Sequence, residues 1–481
     1  MTAADERPTT DWETVIGLEV HCELKTATKL FCGCRNQFGD EPNTNVCPVC
    51  LGLPGSLPVI NEKAVELAMR VGLALHCEVR PSIFHRKNYF YPDMPKDYQV
   101  SQYDQPINVD GRLDLPDGTR VGIERAHMEE DTGKSTHVGG TGRIADSTHS
   151  LVDYNRAGVP LVEIVSHPDL RSAENAKVYV SELRAILVAI GASDGRMEEG
   201  SLRVDANVSI RPRGTQEYGT RCEIKNLNSL RSVARAIDYE VARQTAEREA
   251  GNRIVQETRH WNEGEGRTSS LRSKEEAYDY RYFPEPDLVP LAPSDAWVAA
   301  VRDALPVLPA ERRVALAAAV GADPASEMVV TAVDRGVDRL VLDAVAAGAD
   351  GRIALNRAVN DLPVDAFVEL GSFVSLIGLE TGGRLTPTQS KRVLEEMVAR
   401  AGGDPATIAA ELGLETMGGD SLAAVVDELI AAHPQDFAEY VGGNDKVAGK
   451  FVGLAMKSTG GKASGKIVSQ LLRDRRSAAA P

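Results

Sequence analysis

The sequence predicts an α+β protein with an antiparallel sheet in its N-terminal part and helices in the remainder. Polar and apolar residues alternate along N-terminal segments, as they do in half-buried strands. A proline-rich stretch at 283–293 breaks this pattern, and the chain beyond it is alanine-rich with helical periodicity. We therefore expect a sheet domain at 1–290, a helical domain at 291–403 and a small helical tail at 404–481.

Two segments show the alternation most clearly. In residues 15–25, Glu19, His21 and Glu23 fall on one strand face while apolar residues fall on the other. Residues 202–210 alternate in the same way. A single polar face is typical of an antiparallel sheet that has helices behind its other face.

Two amphipathic helices are expected behind this sheet. Ser172 can cap a segment that ends near Gly191, and Ser229 can cap one that ends near Gly251. Serine oxygens accept hydrogen bonds from the first free amides of a helix, and glycine permits the left-handed turn that ends one.

Composition indicates a soluble globular protein of two or three domains. The 481 residues exceed what one hydrophobic core supports, and they are 42% apolar and 26% charged. The N-terminus has no basic start followed by an apolar segment, and no uncharged apolar run reaches the length of a membrane span. We expect a cytoplasmic protein with no membrane segment.

Charge is unevenly distributed along the chain. A net charge of −16 argues against a nucleic-acid partner, because phosphate contacts need lysine and arginine. Residues 441–481, however, carry eight lysines and arginines against two aspartates. This basic tail could bind a polyanion or could be a solvated helix face, and composition favours neither.

Four of the seven cysteines lie close together in the sequence. Cys32, Cys34, Cys47 and Cys50 have the CxC and CxxC spacing of a zinc site built from two knuckles. Four thiolate ligands leave zinc no open coordination position, so the predicted role is structural. The other three cysteines are expected in the core.

Acidic residues in three segments point to a divalent cation. Glu19 and His21 lie about 7 Å apart on one strand face, although a polar surface strand explains such a pair equally simply. Residues 127–136 join three consecutive carboxylates to Gly-Lys-Ser-Thr, without the upstream glycine of a P-loop. Glu163 lies in an apolar run, where a carboxylate needs a metal or a salt-bridge partner.

Residues 85–96 interleave basic and aromatic side chains. Lys87 and Lys96 are candidates to neutralise nucleotide phosphates beside a magnesium ion, while the aromatic residues could simply belong to a strand. The sequence has no GxSxG nucleophile motif. We therefore expect any hydrolytic acyl chemistry on another chain.

Seven strings over residues 13–291 carry a family resemblance: VIGLEVHCEL, RKNYFYPDMPKDYQVSQYDQPI, HMEEDTGKSTH, VDYNRAGVPLVEIVS, MEEGSLRVDANVSIRP, EIKNLNS and DYRYFPEPDLVPL. In this order they resemble the motifs of the GatB/GatE family, which contains the GatB subunit of the aspartyl/glutamyl-tRNA amidotransferases. The helical remainder is similar to the family's tRNA-contacting C-terminal region.

The resemblance implies a specific fold and reaction. The N-terminal domain would be a cradle of the glutamine synthetase and guanido kinase type that binds ATP and magnesium. It would phosphorylate the side-chain carboxylate of misacylated Asp-tRNA(Asn) or Glu-tRNA(Gln), and ammonia would displace the phosphate. An amidase-type subunit would release this ammonia from glutamine, and a small third subunit would complete the heterotrimer.

The resemblance also implies roles for individual residues. The magnesium ligands would be Glu19, His21, Glu130 and Glu163. Catalytic roles would fall to Glu130, Lys87 and Lys96. Contacts to ATP or substrate would come from Lys87, Tyr89, Lys134, Asn155, Arg156, Asp205 and Asn207. Some members of the family lack the four cysteines, which supports a structural role for zinc.

Two other functions compete with this interpretation. A zinc-stabilised tRNA adaptor without catalysis would not turn over ATP. A stand-alone ATP-dependent amide ligase that uses free ammonia would turn over ATP without tRNA.

Overall fold

A mixed sheet of twelve strands organises the N-terminal part of this computed structural model. The structure describes residues 11–139, 147–273, 280–364, 366–414, 419–460 and 462–479. The strands are β1 (Trp12–Glu23), β2 (Glu78–Val79), β3 (His85–Asn88), β4 (Tyr98–Ser101), β5 (Asn108–Asp114), β6 (Arg120–Glu130), β7 (Lys134–Val138), β8 (His149–Asp153), β9 (Pro160–Ser166), β10 (Leu202–Pro212), β11 (Cys222–Leu227), β12 (Glu257–Asn262), β13 (Arg267–Ser273) and β14 (Phe283–Pro284).

The order of strands across the sheet is β13-β12-β11-β10-β1-β9-β6-β4-β3-β14, with β5 and β2 pairing to the side of β6. Strands β7 and β8 form a separate hairpin. Every described pair in the large sheet is antiparallel except β11 and β12, which are parallel. The prediction of an antiparallel sheet therefore needs one correction: a helix connects these two strands, and such a crossover returns the chain in the same direction.

Alternation along β1 gives the sheet its two faces. Val20 and Cys22 are fully buried, whereas Glu19, His21 and Glu23 are half-buried on the opposite face. The apolar side chains join one core with residues of the helices behind the sheet. The polar side chains are thereby left on the other face, as the sequence pattern predicted.

Four helices belong to this N-terminal unit: α1 (Glu62–Ala74), α2 (Ala173–Ala189), α3 (Leu230–Glu249) and α4 (Asp295–Asp303). The predicted caps are confirmed, because the Ser172 hydroxyl accepts from the amide of Asn175 and the Ser229 hydroxyl accepts from the amide of Ser232. Helix α4 contributes Val301 to the same core as the sheet.

The C-terminal part is helical throughout its described residues. Its helices are α5 (Pro309–Val320), α6 (Glu327–Asp334), α7 (Asp338–Ala346), α8 (Gly351–Asn360), α9 (Leu370–Thr381), α10 (Pro387–Ala399), α11 (Pro405–Glu411), α12 (Gly419–Ala432), α13 (Pro434–Val441), α14 (Lys446–Ser458) and α15 (Gly465–Ala479). One core forms around residues of α5 to α11, and a separate core joins α12 to α15.

The chain divides into two compact units, residues 1–309 and 310–481. The finer division, with limits at 290 and 403, stays a prediction. None of the helices in the described parts of the chain is long and apolar enough to cross a membrane.

Candidate active site

A row of polar side chains crosses the exposed face of the sheet. His21 on β1 is paired in register with Glu163 on β9, and Glu163 is paired with His127 on β6. Because side chains alternate along a strand, Glu129 shares the face of His127. Four residues from three neighbouring strands therefore meet in what we call the histidine-glutamate cluster.

Distances within this cluster suit a shared cation. Nε2 of His21 lies 3.4 Å from Oε2 of Glu163, and Nε2 of His127 lies 3.8 Å from the same oxygen. Nε2 of His127 also lies 3.4 Å from Oε1 of Glu129. His127, Glu129 and Glu163 can each present one ligand atom within 4.8 Å of the others.

The chemistry of the cluster also fits a divalent cation. Its two carboxylates and His127 are buried, and Nδ1 of His127 has no hydrogen-bond partner among the described residues. Buried carboxylates need a compensating cation, and carboxylate oxygens are the ligands that magnesium prefers.

Neighbouring charges keep both glutamates ionised. Burial acts to raise the pKa of Glu163, but His127 and His21 together hold it below the ordinary value. Burial also acts to raise the pKa of Glu129, and the nearby ammonium of Lys87 brings it below the ordinary value. Both side chains can therefore bind a cation without first losing a proton.

Lys87 supplies a fixed positive charge at the edge of the cluster. Its Nζ lies 4.0 Å from Oε1 of Glu129 and 5.0 Å from the ring centre of Tyr280. Burial acts to lower the pKa of Lys87, but Glu129 has the opposite effect and the pKa is raised overall. Tyr89 lies just beyond β3, where its ring stacks on that of Tyr91 at 5.8 Å.

Predicted residues on β10 extend the polar face on the other side of β1. The amide of Asn207 donates to Oε1 of Glu19 at 2.9 Å, and Lys225 donates to Oδ2 of Asp205 at 2.6 Å. Burial, followed by the charge of Glu163, raises the pKa of Glu19. Glu19 therefore holds its proton more readily than the two cluster glutamates.

The structure does not bring Glu130 and Lys96 together with the other predicted ligands. Glu130 accepts from Lys96 Nζ at 2.5 Å and from the amide of Val100 at 2.9 Å, in a cavity of about 220 Å³ that Cys50 also lines. Consecutive strand residues point to opposite faces, so Glu129, and not Glu130, shares the face of Glu163.

Three further predicted residues lie apart from the cluster. Lys134, Asn155 and Arg156 line a cavity of about 310 Å³ together with Glu23. Arg156 Nε donates to the carbonyl of Thr132 at 2.9 Å. These side chains adjoin the polar face through Glu23, two residues beyond His21 on β1.

Sequence reasoning missed three members of the polar face. It selected neither His127 nor Glu129 from the acidic motif, and it did not select Lys225, which lies 3.0 Å from Glu223. The signal that could have found the first two is their spacing of two residues, which matches that of Glu19 and His21.

The four predicted zinc ligands come together. One sulfur each from Cys32, Cys34, Cys47 and Cys50 lies within 4.8 Å of the others. Tetrahedral zinc with sulfur ligands at about 2.3 Å places the sulfurs roughly 3.8 Å apart, so the group fits this metal. A hydrogen bond from Cys32 is the main cause that lowers the pKa of Cys50 to about 5, with a contribution from Lys29.

Zinc removal should destabilise the N-terminal unit without unfolding it completely. We expect a chelator or Cys50→Ser to lower the free energy of unfolding by less than the roughly 10–16 kcal/mol of zinc-finger peptides, because the sheet has its own core. Thermal unfolding with metal analysis tests this. A zinc-free chain with an unchanged melting temperature would contradict the zinc assignment.

Comparison with known proteins identifies the family. The family model for the GatB/GatE catalytic domain matches residues 14–299, and the model for the GatB domain matches residues 355–475. The chain belongs to the GatB/GatE family. The first match contains every member of the histidine-glutamate cluster. The predicted resemblance is thus confirmed, and with it the prediction of an enzyme subunit.

Curated relatives in the GatB/GatE family match nearly the whole chain. The chain is 51% identical to a protein of Frankia casuarinae over 96% of this chain and 95% of that protein. It is 49% identical to a protein of Nocardia farcinica over 96% of this chain and 95% of that protein. For Rhodococcus opacus the identity is 50%, over 98% of this chain and 99% of that protein. All three are named as the GatB subunit of an aspartyl/glutamyl-tRNA(Asn/Gln) amidotransferase.

Proposed function

We propose that this chain is the ATP-using subunit of a tRNA-dependent amidotransferase. It phosphorylates the side-chain carboxylate of Asp-tRNA(Asn), Glu-tRNA(Gln) or both, and ammonia then displaces phosphate to give the amide. The observation that carries the proposal is the histidine-glutamate cluster beside Lys87, inside the segment that matches the family's catalytic domain.

The reaction needs an activated carboxylate. Ammonia does not displace oxide from a carboxylate, whereas phosphate is a good leaving group. Phosphoryl transfer depends mainly on positioning and charge neutralisation. The arrangement of anionic ligands and a fixed ammonium on one sheet face supports this chemistry, because it can order a metal nucleotide and neutralise the transferred group.

Each side chain of the polar face has a role in this proposal. Glu129, Glu163 and His127 would hold magnesium, which would neutralise the phosphate oxygens of ATP. Lys87 holds a positive charge 4.0 Å from Glu129 and neutralises a phosphate oxygen on that side. Lys225 places a second ammonium beyond Asp205 on the opposite side of β1.

The proposal includes partners and a location. An amidase-type subunit would supply ammonia and a small third subunit would complete the heterotrimer, consistent with the missing GxSxG motif. The basic residues of α14 and α15 would contact tRNA, and the complex would work in the cytoplasm. Zinc at the four cysteines would be structural.

ADP formation tests the proposal against its two rivals. The reconstituted complex should produce ADP with misacylated tRNA and ammonium, and far less with the matched uncharged tRNA. An adaptor produces no ADP in either case. A stand-alone ligase produces ADP with free aspartate or glutamate and no tRNA, and either of these results would contradict the proposal.

A further inference from the structure

A cavity of about 470 Å³ lies where β10 ends, away from the histidine-glutamate cluster. It is bounded by the first residue of β1, the loop after β10 and the segment that follows α3. The proposed reaction uses none of its residues. Arg211 lies six residues beyond Asp205, or about 20 Å along an extended strand, so the cavity is separate from the metal ligands.

Three arginines give this cavity a positive charge. Arg211, Arg248 and Arg253 line it, and Glu217 is the acidic residue among the described lining residues. Arg211 is buried and donates through Nε to Glu13 at 2.6 Å. Arg248 and Arg253 have no carboxylate partner in the part of the chain that the structure describes.

An unsatisfied donor lies at the same place. The indole Nε1 of Trp12 is buried and has no hydrogen-bond acceptor among residues 11–139 or the other described ranges. The guanidinium of Arg248 lies 5.7 Å from the centre of its ring. A buried N–H without an acceptor is unfavourable, so an acceptor from a ligand would remove a cost of the folded state.

Close packing of the loop fixes the shape of the cavity. A Cβ atom at Gly219 would lie 2.1 Å from the carbonyl oxygen of Ile210, so only glycine lets the loop approach β10 this closely. Tyr218, next in the loop, is 66% exposed, and its ring centre is 5.8 Å from the guanidinium of Arg211. The loop thus presents an aromatic ring beside the arginines.

We propose that this cavity binds a phosphate group carried by a nucleotide or by an RNA strand. Guanidinium groups bind phosphate through directed pairs of N–H donors, and the indole N–H of Trp12 would add another. The exposed ring of Tyr218 can stack on a base or pack on a ribose next to that phosphate. The site is distinct from the one proposed for the transferred phosphate of ATP.

Binding by the full-length chain without divalent metal tests this proposal. The probes are pyrophosphate, followed by calorimetry, and uncharged tRNA, followed by fluorescence anisotropy. The double variant Arg248→Gln/Arg253→Gln should weaken pyrophosphate binding about tenfold or more and tRNA binding about threefold or more, because charged hydrogen bonds are lost. Arg302→Gln, on the exposed side of α4, is the control and should change neither.

A milder variant protects the test against misfolding. Trp12→Phe keeps an aromatic ring but removes the indole N–H, and it should weaken the same probe by a smaller factor. Loss of tRNA binding alone assigns the site to an RNA backbone, and loss of pyrophosphate binding alone assigns it to a nucleotide; both support a phosphate site. Unchanged affinity for both probes in the folded double variant overturns it.

Discussion

Glu129→Gln should abolish metal-dependent ADP formation, whereas Glu130→Gln should preserve it. Glu129 faces His127 and Glu163 in the cluster, while Glu130 faces Lys96 behind the sheet. Loss of an anionic ligand lowers the affinity for magnesium and leaves the charge of the transferred phosphate less neutralised. We expect a fall of about 100- to 1000-fold in kcat, the range seen when a group that stabilises a transition-state charge is removed.

The two variants should also differ in stability. Glu130 and Lys96 form a buried ion pair, so Glu130→Gln should lower the free energy of unfolding by about 3 kcal/mol or more. Magnesium titration of ADP formation and thermal unfolding measure the two effects separately. Full activity in Glu129→Gln, or equal loss of magnesium dependence in both variants, would refute the assignment of the metal to the polar face.

Removing the tail after Leu414 should strongly reduce tRNA binding. Residues of α12 to α15 have their own core, whereas Leu412 and Leu414 pack on the preceding one. Lys446, Lys457 and Lys462 have no ion-pair partner among the described residues. If each contacts a phosphate, the truncation lowers the slope of log affinity against log salt by roughly 3, and the affinity falls about tenfold or more.

A chain with Lys446, Lys457 and Lys462 all changed to glutamine separates charge from folding. It should reproduce most of the change in salt slope, while a matched variant of three cations in the first unit, Lys63, Lys177 and Arg302, should not. Anisotropy titrations at several salt concentrations measure both. A truncated chain with the salt slope and affinity of the full chain would show that the tail does not bind tRNA.

Periodicity was enough to predict the faces of the strands but not their neighbours. The polar face of Glu19 and His21 follows from alternation within one strand, and the caps Ser172 and Ser229 follow from local hydrogen bonding. The choice between Glu129 and Glu130 depends on which face of β6 aligns with β1. That alignment is set by pairing through β9, which a local pattern cannot reveal.

Other parts of the site differ in how far the sequence determines them. The cysteine group could be predicted because its spacing brings the sulfurs together within one short loop. Lys225 pairs with Asp205 through two neighbouring strands, and its contribution depends on their register. The parallel pairing of β11 and β12 likewise depends on the path of the chain through α3.

Transfer of oxygen from the substrate to phosphate is the most direct test of the proposed reaction. Misacylated tRNA is prepared with ¹⁸O in the side-chain carboxylate and incubated with the complex, magnesium, unlabelled ATP and ammonium. Phosphorylation of the carboxylate predicts one ¹⁸O atom in each inorganic phosphate released, by mass spectrometry. Amide formation with phosphate that contains no ¹⁸O would show that the carboxylate is not phosphorylated, and the account of the polar face would be wrong.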